Sequence, residues 1–386
     1  MTSGMLGAPA RIAVLTSSMG GGGAQRSMVR LAGAIAQRGH AVDLVLIHAD
    51  GHYRDEVSPA VRVVDLGARR ALASIPAMVR YLRRERPAAL LSSLDYVNIV
   101  GLWARWLSRT DTRMIVNEQN TLSLVVRNAS RFRTRLRPPL MRRFYPWADG
   151  VVAVSQGVAD DLADVTGLDR DRIQVIPNPV VSPLIGQMAS EDVDHPWFRP
   201  GEPPVVLSLG RLVPQKDFGT LIESFARVRR TRSARLMILG EGRERERLEA
   251  SIQRLGLHND VQLPGWVVNP YPFIRRSDVF VLSSKWEGLP TVLIEALFCG
   301  VPVVSTDCPS GPREILDNGR YGRLVPIGHV EALAGSIDDS LSDATPRPGP
   351  ESWRAFDQEL VVDRYLDALL GPRRGGRETT QSCARW

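Results

Sequence analysis

The chain has 386 residues, 44% hydrophobic and 24% charged, enough for two domains of ordinary size and too apolar for a disordered protein. No apolar run reaches the eighteen or so residues of a membrane span, Ile12–Leu15 is too brief for a signal-peptide core, and Cys299, Cys308 and Cys383 have neither disulfide nor zinc spacing. These features predict a cytoplasmic protein, free or peripheral on the inner face of the cell membrane, with Cys299 and Cys308 as small core fillers. The net charge of +7 is uneven, because residues 1–190 hold 24 arginines against 15 acidic residues.

Arg11–Thr16 reads as a strand, Ser17–Gly23 as a glycine-rich turn, and Ala24–Arg38 as a helix with Met28, Leu31, Ala32 and Ile35 inward. Gly39 ends that helix before a second strand at Val42–Ile47, so the chain opens with a Rossmann-like crossover. Neither Gly20 nor Gly21 has a glycine five residues on, so the dinucleotide fingerprint is missing and no nicotinamide or flavin cofactor is expected. Gly20, Gly21, Gly22 and Gly23 instead offer backbone amides to an acceptor or phosphate at a helix N-terminus, or serve as a plain flexible turn. Further apolar runs at Val61–Leu66, Ala89–Leu91, Met114–Val116 and Gly150–Val154 continue a parallel sheet to about Pro177.

Ten arginines lie between Arg105 and Arg143 against only Asp111 and Glu118. Such a cluster suits nucleic acid, anionic lipid or a phosphate-bearing substrate, although arginine is the default cation of a chain whose only lysines are Lys216 and Lys285. From Leu124 to Trp147 the arginines mix with Phe132, Leu136, Leu140, Phe144 and Trp147, a composition fit either for an anionic membrane surface or for packing on the domain itself. Pro138 and Pro139 break any single long helix there. No recognised nucleic-acid-binding module accompanies the cluster, so nucleic acid is not an expected partner.

Ser182–Pro204 contains seven Pro or Gly residues without periodicity and reads as a linker. Its Asp192-Val193-Asp194 does not follow a buried strand, and no metal site is expected there. A second sheet is predicted from Val205–Leu209, Leu236–Leu239, Val261–Leu263, Val279–Leu282 and Val301–Val304, with helices at Thr220–Arg230 and Arg243–Leu255. Trp353–Leu370 has helical spacing, and the Gly- and Arg-rich residues after it read as disordered.

The most informative stretch is Val279–Leu316, VFVLSSKWEGLPTVLIEALFCGVPVVSTDCPSGPREIL. Val279–Leu282 is a β-branched strand, Pro290 suits a first helical position, and Gly300 stops the helix. Val292, Leu293, Ala296 and Leu297 give that helix one packed face, with Glu295 off it. A parallel crossover of this kind puts the loop Ser283–Leu289 at the carboxyl end of the sheet, where ligands bind. The amides of Gly288, Leu289 and Thr291 then form a phosphate site, while Glu287 and Glu295 can accept from sugar or ribose hydroxyls. Alone, the two glutamates read as ordinary helix-start charges; the neighbouring segments make them a site.

Glu287 and Glu295 form an E-x7-E pair within EGLPTVLIEAL. With STDCPSGPREIL after it, the stretch resembles the retaining glycosyltransferases of family 4, the glycosyltransferase group 1 type. Gly210-Arg211-Leu212 followed by Gln215-Lys216-Asp217-Phe218 matches the segment whose arginine and lysine bind the donor diphosphate in that family. Ala153-Val154-Ser155 and Val175-Ile176-Pro177-Asn178-Pro179 match its approach to the interdomain hinge. NPYPFIRRSDVFVLSS is similar to bacterial members that build lipopolysaccharide, exopolysaccharide or lipid-linked oligosaccharides.

The resemblance implies an α/β GT-B fold, two facing Rossmann-like domains with parallel sheets and an interdomain cleft. It assigns residues 1–180 to an acceptor-binding domain, 181–204 to a linker, 205–352 to a nucleotide-sugar-binding domain, 353–370 to a helix crossing back, and 371–386 to a disordered tail. It implies transfer of a hexose or N-acetylhexosamine from a nucleotide-diphosphate sugar, a UDP-sugar, to a glycan or polyprenyl-diphosphate-linked acceptor with retention. The nucleotide sugar is a substrate, and neither cofactor nor metal is expected; an epimerase or phosphorylase of the same fold is the alternative. The implied donor site is Gly210, Arg211, Lys216, Glu287, Gly288, Leu289, Pro290, Thr291 and Glu295. Many relatives place a histidine at the end of a strand like Met114–Val116, where this chain has Asn117-Glu118-Gln119-Asn120. Glu118 thereby joins Glu287, Arg211 and Lys216 as a catalytic candidate on the acceptor side.

Overall fold

The computed structural model describes residues 9–20, 22–129, 132–342 and 347–372. The first half folds around a seven-stranded sheet of β1 (Arg11–Thr16), β2 (Ala41–Leu46), β3 (Val61–Asp65), β4 (Ala89–Ser93), β5 (Arg113–Glu118), β6 (Gly150–Ala153) and β7 (Ile173–Val175). All neighbours are parallel and the order is β3-β2-β1-β4-β5-β6-β7. Its helices are α1 (Gly23–Gln37), α2 (Ile75–Glu85), α3 (Asp95–Ser108), α4 (Leu122–Arg127), α5 (Phe132–Arg135), α6 (Arg137–Phe144) and α7 (Gln156–Thr166). The Leu124–Trp147 region is thus broken into short helices, as its prolines demand, with Met141 and Tyr145 fully buried and Phe132, Leu136 and Leu140 exposed.

The second half contains α8 (Pro183–Ala189), β8 (Val205–Leu209), α9 (Phe218–Thr231), β9 (Arg235–Leu239), α10 (Arg245–Arg254) and β10 (Val261–Gly265). It continues with α11 (Tyr271–Arg276), β11 (Val279–Leu282), α12 (Thr291–Phe298), β12 (Val303–Thr306), α13 (Pro312–Ile315), β13 (Arg323–Val325) and α14 (Val330–Ser340). Six parallel strands run in the order β10-β9-β8-β11-β12-β13. Every residue of β4, β11 and β12 is buried, the signature of parallel strands covered on both faces. In each sheet the chain reverses direction of growth beside its first strand, between β1 and β4 and between β8 and β11. Ligands of open α/β sheets bind in the crevice at the carboxyl ends of such strand pairs.

The final helix, α15 (Gln358–Leu370), leaves the second half and buries Val361, Val362, Tyr365 and Leu369 against Ile12, Val14, Met28 and Leu31 of the first. Asn117 Nδ2 donates to the Tyr365 hydroxyl at 2.6 Å. The segment expected as a linker behaves differently from that expectation: α8 occupies part of it, and Ile185, Ala189 and Trp197 are buried in the core of the second domain. Its prolines sit at helix starts rather than in open chain, since Pro183 opens α8 and Pro196 opens a 3₁₀ turn. Three further boundaries shift. Pro290 is the extended residue before α12 rather than its first helical residue, with φ −72° and ψ 91°. β12 begins at Val303, because Pro302 has no amide to donate to a sheet. The predicted helix from Trp353 starts only at Gln358, after two 3₁₀ turns, where Asp357 caps it through the amide of Glu359. Residues 373–386, including Cys383, lie outside the described residues.

Candidate active site

The two strands at the switch point of the second sheet, β8 and β11, feed the two loops that carry the predicted donor residues. Gln215 Nε2 donates to the Trp286 carbonyl at 2.8 Å, the Lys285 amide to the Gln215 carbonyl at 2.8 Å, and Ser283 Oγ to the Lys216 carbonyl at 2.7 Å. These bonds lock the loops together and bring Lys216 Nζ 2.6 Å from Glu287 Oε1. Ser284 Oγ donates to the same carboxylate oxygen. Glu287 is buried and Lys216 half-buried, and a pair so shielded from water persists only with such added hydrogen bonds. Gly210 leaves room for the lysine stem, since a Cβ there would lie 3.2 Å from Lys216 Cε.

Arg211 is exposed, and among the described residues its guanidinium has no hydrogen-bond or ion-pair partner. It faces the glycine turn of the first domain: a Cβ on Gly22 would stand 3.9 Å from Arg211 Nε, and one on Gly23 would stand 3.3 Å from Thr291 Oγ1. Gly20 lies under the chain at Gly51, with 3.1 Å from its would-be Cβ to Gly51 Cα, and Gly21 is outside the described residues. The structure therefore joins Gly22 and Gly23 to Arg211, Lys216 and the start of α12 across the cleft.

Between them, the amides of Gly288 and Leu289 have no acceptor among the described residues. The carbonyls of this loop are held instead: Thr121 Oγ1 donates to Glu287 O at 2.7 Å and Ser155 Oγ to Gly288 O at 2.9 Å, both from the first domain. Leu289 packs against the cores of both domains. Free amides, a helix start and two cations around one gap are groups that can hold an anion such as a diphosphate.

Glu295, 3% exposed, accepts from the Tyr271 hydroxyl at 3.1 Å and pairs with Arg30 of α1 at 3.6 Å. Arg30 also donates to the Tyr271 hydroxyl at 2.6 Å, and Arg26 pairs with Glu56 at 2.8 Å. Burial, and then the Glu295 carboxylate, push the Tyr271 phenol up, so it acts as a donor to Glu295. Sequence reasoning had not assigned Arg26, Arg30, Tyr271, Thr121 or Ser155. A signal existed for the arginines, which stand four residues apart on the helix opened by the glycine turn, and for Tyr271, which lies in the quoted NPYPFIRRSDVFVLSS.

Glu118 ends β5 in a buried cluster of the first domain, where Tyr145 and Asn98 Nδ2 donate to its Oε1. Burial, and then the charge of Asp95, push its carboxyl up to about 8. Its side-chain bonds stay within the first domain, and none reaches Lys216 or Glu287. The neighbouring Gln119 exchanges amide bonds with Asn178 of the hinge at 2.8 and 3.2 Å. Asp192 pairs with Arg276 on the surface at 3.0 Å, and among the described residues no group of three or more His, Cys, Asp or Glu could hold a metal ion. Cys299 and Cys308 are free thiols pushed up to about 12 by burial, which keeps them unreactive.

Two facing parallel-sheet domains and a cation-lined cleft define a glycosyltransferase of the GT-B class. The family models for "Glycosyl transferases group 1" and "Glycosyltransferase Family 4" match residues 190–355 and 21–182 respectively, and the chain belongs to this family of glycosyltransferases. It is 30% identical to the lipopolysaccharide core biosynthesis glycosyltransferase LpsE of Rhizobium meliloti over 360 residues, 90% of this chain and 96% of that protein. It is 31% identical, over 72% of this chain and 75% of the relative, to a Campylobacter jejuni enzyme, N-acetylgalactosamine-N,N'-diacetylbacillosaminyl-diphospho-undecaprenol 4-alpha-N-acetylgalactosaminyltransferase. Among solved structures, Anabaena HepE in complex with UDP-glucose superposes with a TM-score of 0.77 at 21% identity, covering 93% of this chain and 99% of HepE.

Proposed function

We propose that the protein transfers a hexose or N-acetylhexosamine from a UDP-sugar to a hydroxyl of a glycan or polyprenyl-diphosphate-linked acceptor, with retention and without a metal. The observation that carries this reading is the Lys216–Glu287 pair beside the unpaired Arg211 and the free amides of Gly288 and Leu289. A departing UDP gathers negative charge, and these groups would stabilise it without a divalent ion. Glu287 would hold sugar hydroxyls and Glu295 the ribose. A double displacement would require a carboxylate nucleophile. In the proposed route the acceptor instead attacks on the face that UDP leaves, and the donor phosphate takes the acceptor proton. Relatives named for undecaprenol-linked substrates support a lipid-linked acceptor.

The acceptor would be met at the inner face of the membrane, a reading supported by exposed Trp106, Leu107, Phe132, Leu136 and Leu140 among the arginines of α3 to α6. Among the described residues no helix is long and apolar enough to cross a membrane. Flotation with anionic against neutral liposomes tests the contact, and equal binding to both removes it.

For the reaction, a thermal-shift series of nucleotide sugars identifies the donor, because a ligand of the folded state raises its melting temperature. Transfer to a lipid-linked sugar is then followed by NMR of the new anomeric centre. An inverted product, conversion of the donor without acceptor, or no stabilisation by any UDP-sugar would each overturn the proposal.

A further inference from the structure

The phrase STDCPSGPREIL contributes a residue that the donor site leaves unused. Glu314, in α13 of the second domain, reaches the first domain and accepts from the first two amides of α7, Gln156 N at 2.8 Å and Gly157 N at 2.9 Å, one on each carboxylate oxygen. The third amide, Val158 N, is held by Ser155 Oγ at 3.3 Å, and that hydroxyl donates to Gly288 O. A helix N-terminus leaves its first amides without internal partners and favours a carboxylate there. The cap of α7 is therefore built largely by the opposite domain, and it is complete only when the cleft is closed.

The approach is close. A Cβ on Gly157 would lie 2.6 Å from Ser310 Oγ and 3.0 Å from Ser310 Cα, so a glycine is needed at this seam. The loop that carries Glu314 also props the donor loop. Pro309 O accepts from Glu287 N at 3.3 Å, and Thr121 Oγ1 bonds both Ser310 Oγ at 3.0 Å and Glu287 O at 2.7 Å. Gly311, at φ 93°, leaves no space for a side chain beside Pro290 and the Gly288 carbonyl.

We infer that Glu314 is a positioning residue for the transfer: by seating on the N-terminus of α7 when the domains close, it fixes loop 309–311 and, through it, the backbone of Glu287 opposite Lys216. The inference rests on the proposed donor site. It predicts a specific kinetic signature, because the proposed donor contacts lie mainly in the second domain, whereas the seam sets the placement of the two domains on which turnover depends.

The test uses Glu314→Ala and Glu314→Gln in the full chain with the UDP-sugar found by thermal shift. Glu314→Ala should lower kcat by about ten- to a hundredfold while the donor dissociation constant from calorimetry changes less than about threefold. Glu314→Gln, which keeps one acceptor oxygen, should recover part of the loss. Hydrogen–deuterium exchange should rise at Gln156, Gly157 and Glu287, whose amide is held by Pro309 O, in the alanine variant, with the rest of each domain unchanged. A kcat within twofold of the parent, a loss confined to donor affinity, or unchanged exchange at Gln156 and Gly157 would overturn the inference. Should Glu314→Ala fail to fold, the glutamine variant decides by the same readouts. Should no UDP-sugar serve as donor, the proposed function fails, while exchange at Gln156 and Gly157 in the nucleotide-free protein still decides whether Glu314 makes the seam.

Discussion

Replacing Gly288 by alanine adds a methyl group where the two domains meet, and the geometry fixes its consequence. The new Cβ would lie 2.8 Å from the carbonyl carbon of Gln119 and 3.0 Å from Asn120 Cα, with the Gln119 carbonyl oxygen nearer still. All three are backbone atoms of the first domain, so no side chain can swing aside. The Gln119 carbonyl oxygen sets the demand, and restoring ordinary contact with it requires a separation of more than about 1 Å at this point. Gly288 itself has no positive φ, so the alanine is not strained within its own domain. The cost therefore falls on closure. A misplacement of about 1 Å in a catalytic arrangement can lose on the order of a hundredfold in rate, and kcat should fall by about that much. Donor affinity and melting temperature should stay near those of the parent. Gly240→Ala is the contrasting control: its φ of 136° and the 2.9 Å from its would-be Cβ to Gly210 C lie within one domain, so that variant should lose stability. Stopped turnover, calorimetry and thermal melts on both variants decide the matter. A Gly288→Ala enzyme with parental kcat, or one that loses stability as Gly240→Ala does, refutes the reasoning.

Three further outcomes follow from the site. Lys216→Ala removes the ammonium 2.6 Å from Glu287 and should lower kcat by roughly 10²–10³ with the fold intact by circular dichroism; near-normal turnover would sink its role. Glu295→Gln should weaken UDP binding by roughly tenfold in calorimetry, the worth of one charge-assisted hydrogen bond, and unchanged affinity would remove the ribose assignment. The Glu118 carboxyl titrates near 4.5 when unfolded and at about 8 when folded, so the folded state holds the extra proton between those values. Stability should decline as pH rises through that window and level off above it, whereas Glu118→Gln should abolish that share of the decline. Parallel melting-temperature slopes between pH 5 and pH 8 for the two proteins would contradict this.

The sheets, and the grouping of Arg211, Lys216 and Glu287 at the ends of β8 and β11, were legible because their chemistry is local in sequence. Buried parallel strands such as β4 and β11 are mainly apolar runs, and Arg211, Lys216 and Glu287 sit on loops, and Glu295 within α12, in segments with their own signatures. What sequence could not reveal depends on the approach of the two domains. Arg30 meets Tyr271 across 241 residues, and Glu314 meets Gln156 across 158. Neither contact leaves a spacing rule within one segment. The supposed linker misled for another reason: Ile185, Ala189 and Trp197 are too sparse among prolines, glycines and acids to show a period, yet each finds a place in the second core. Strands β7 and β13 have three residues each, too few to stand out.

The return of α15 has a consequence for how the protein is made. Tyr365 and Val361 are fully buried between α1 and the first sheet, so the core that begins with Ile12 is finished by residues translated some 350 positions later. The intervening domain, contiguous in sequence, has all its strands in hand first. On the ribosome the N-terminal sheet must therefore wait, with the surface meant for α15 uncovered, while the domain that follows it completes. A nascent chain stalled before Gln358 should expose that surface to chaperones, and the order of synthesis would be the reverse of the order in which the two domains mature.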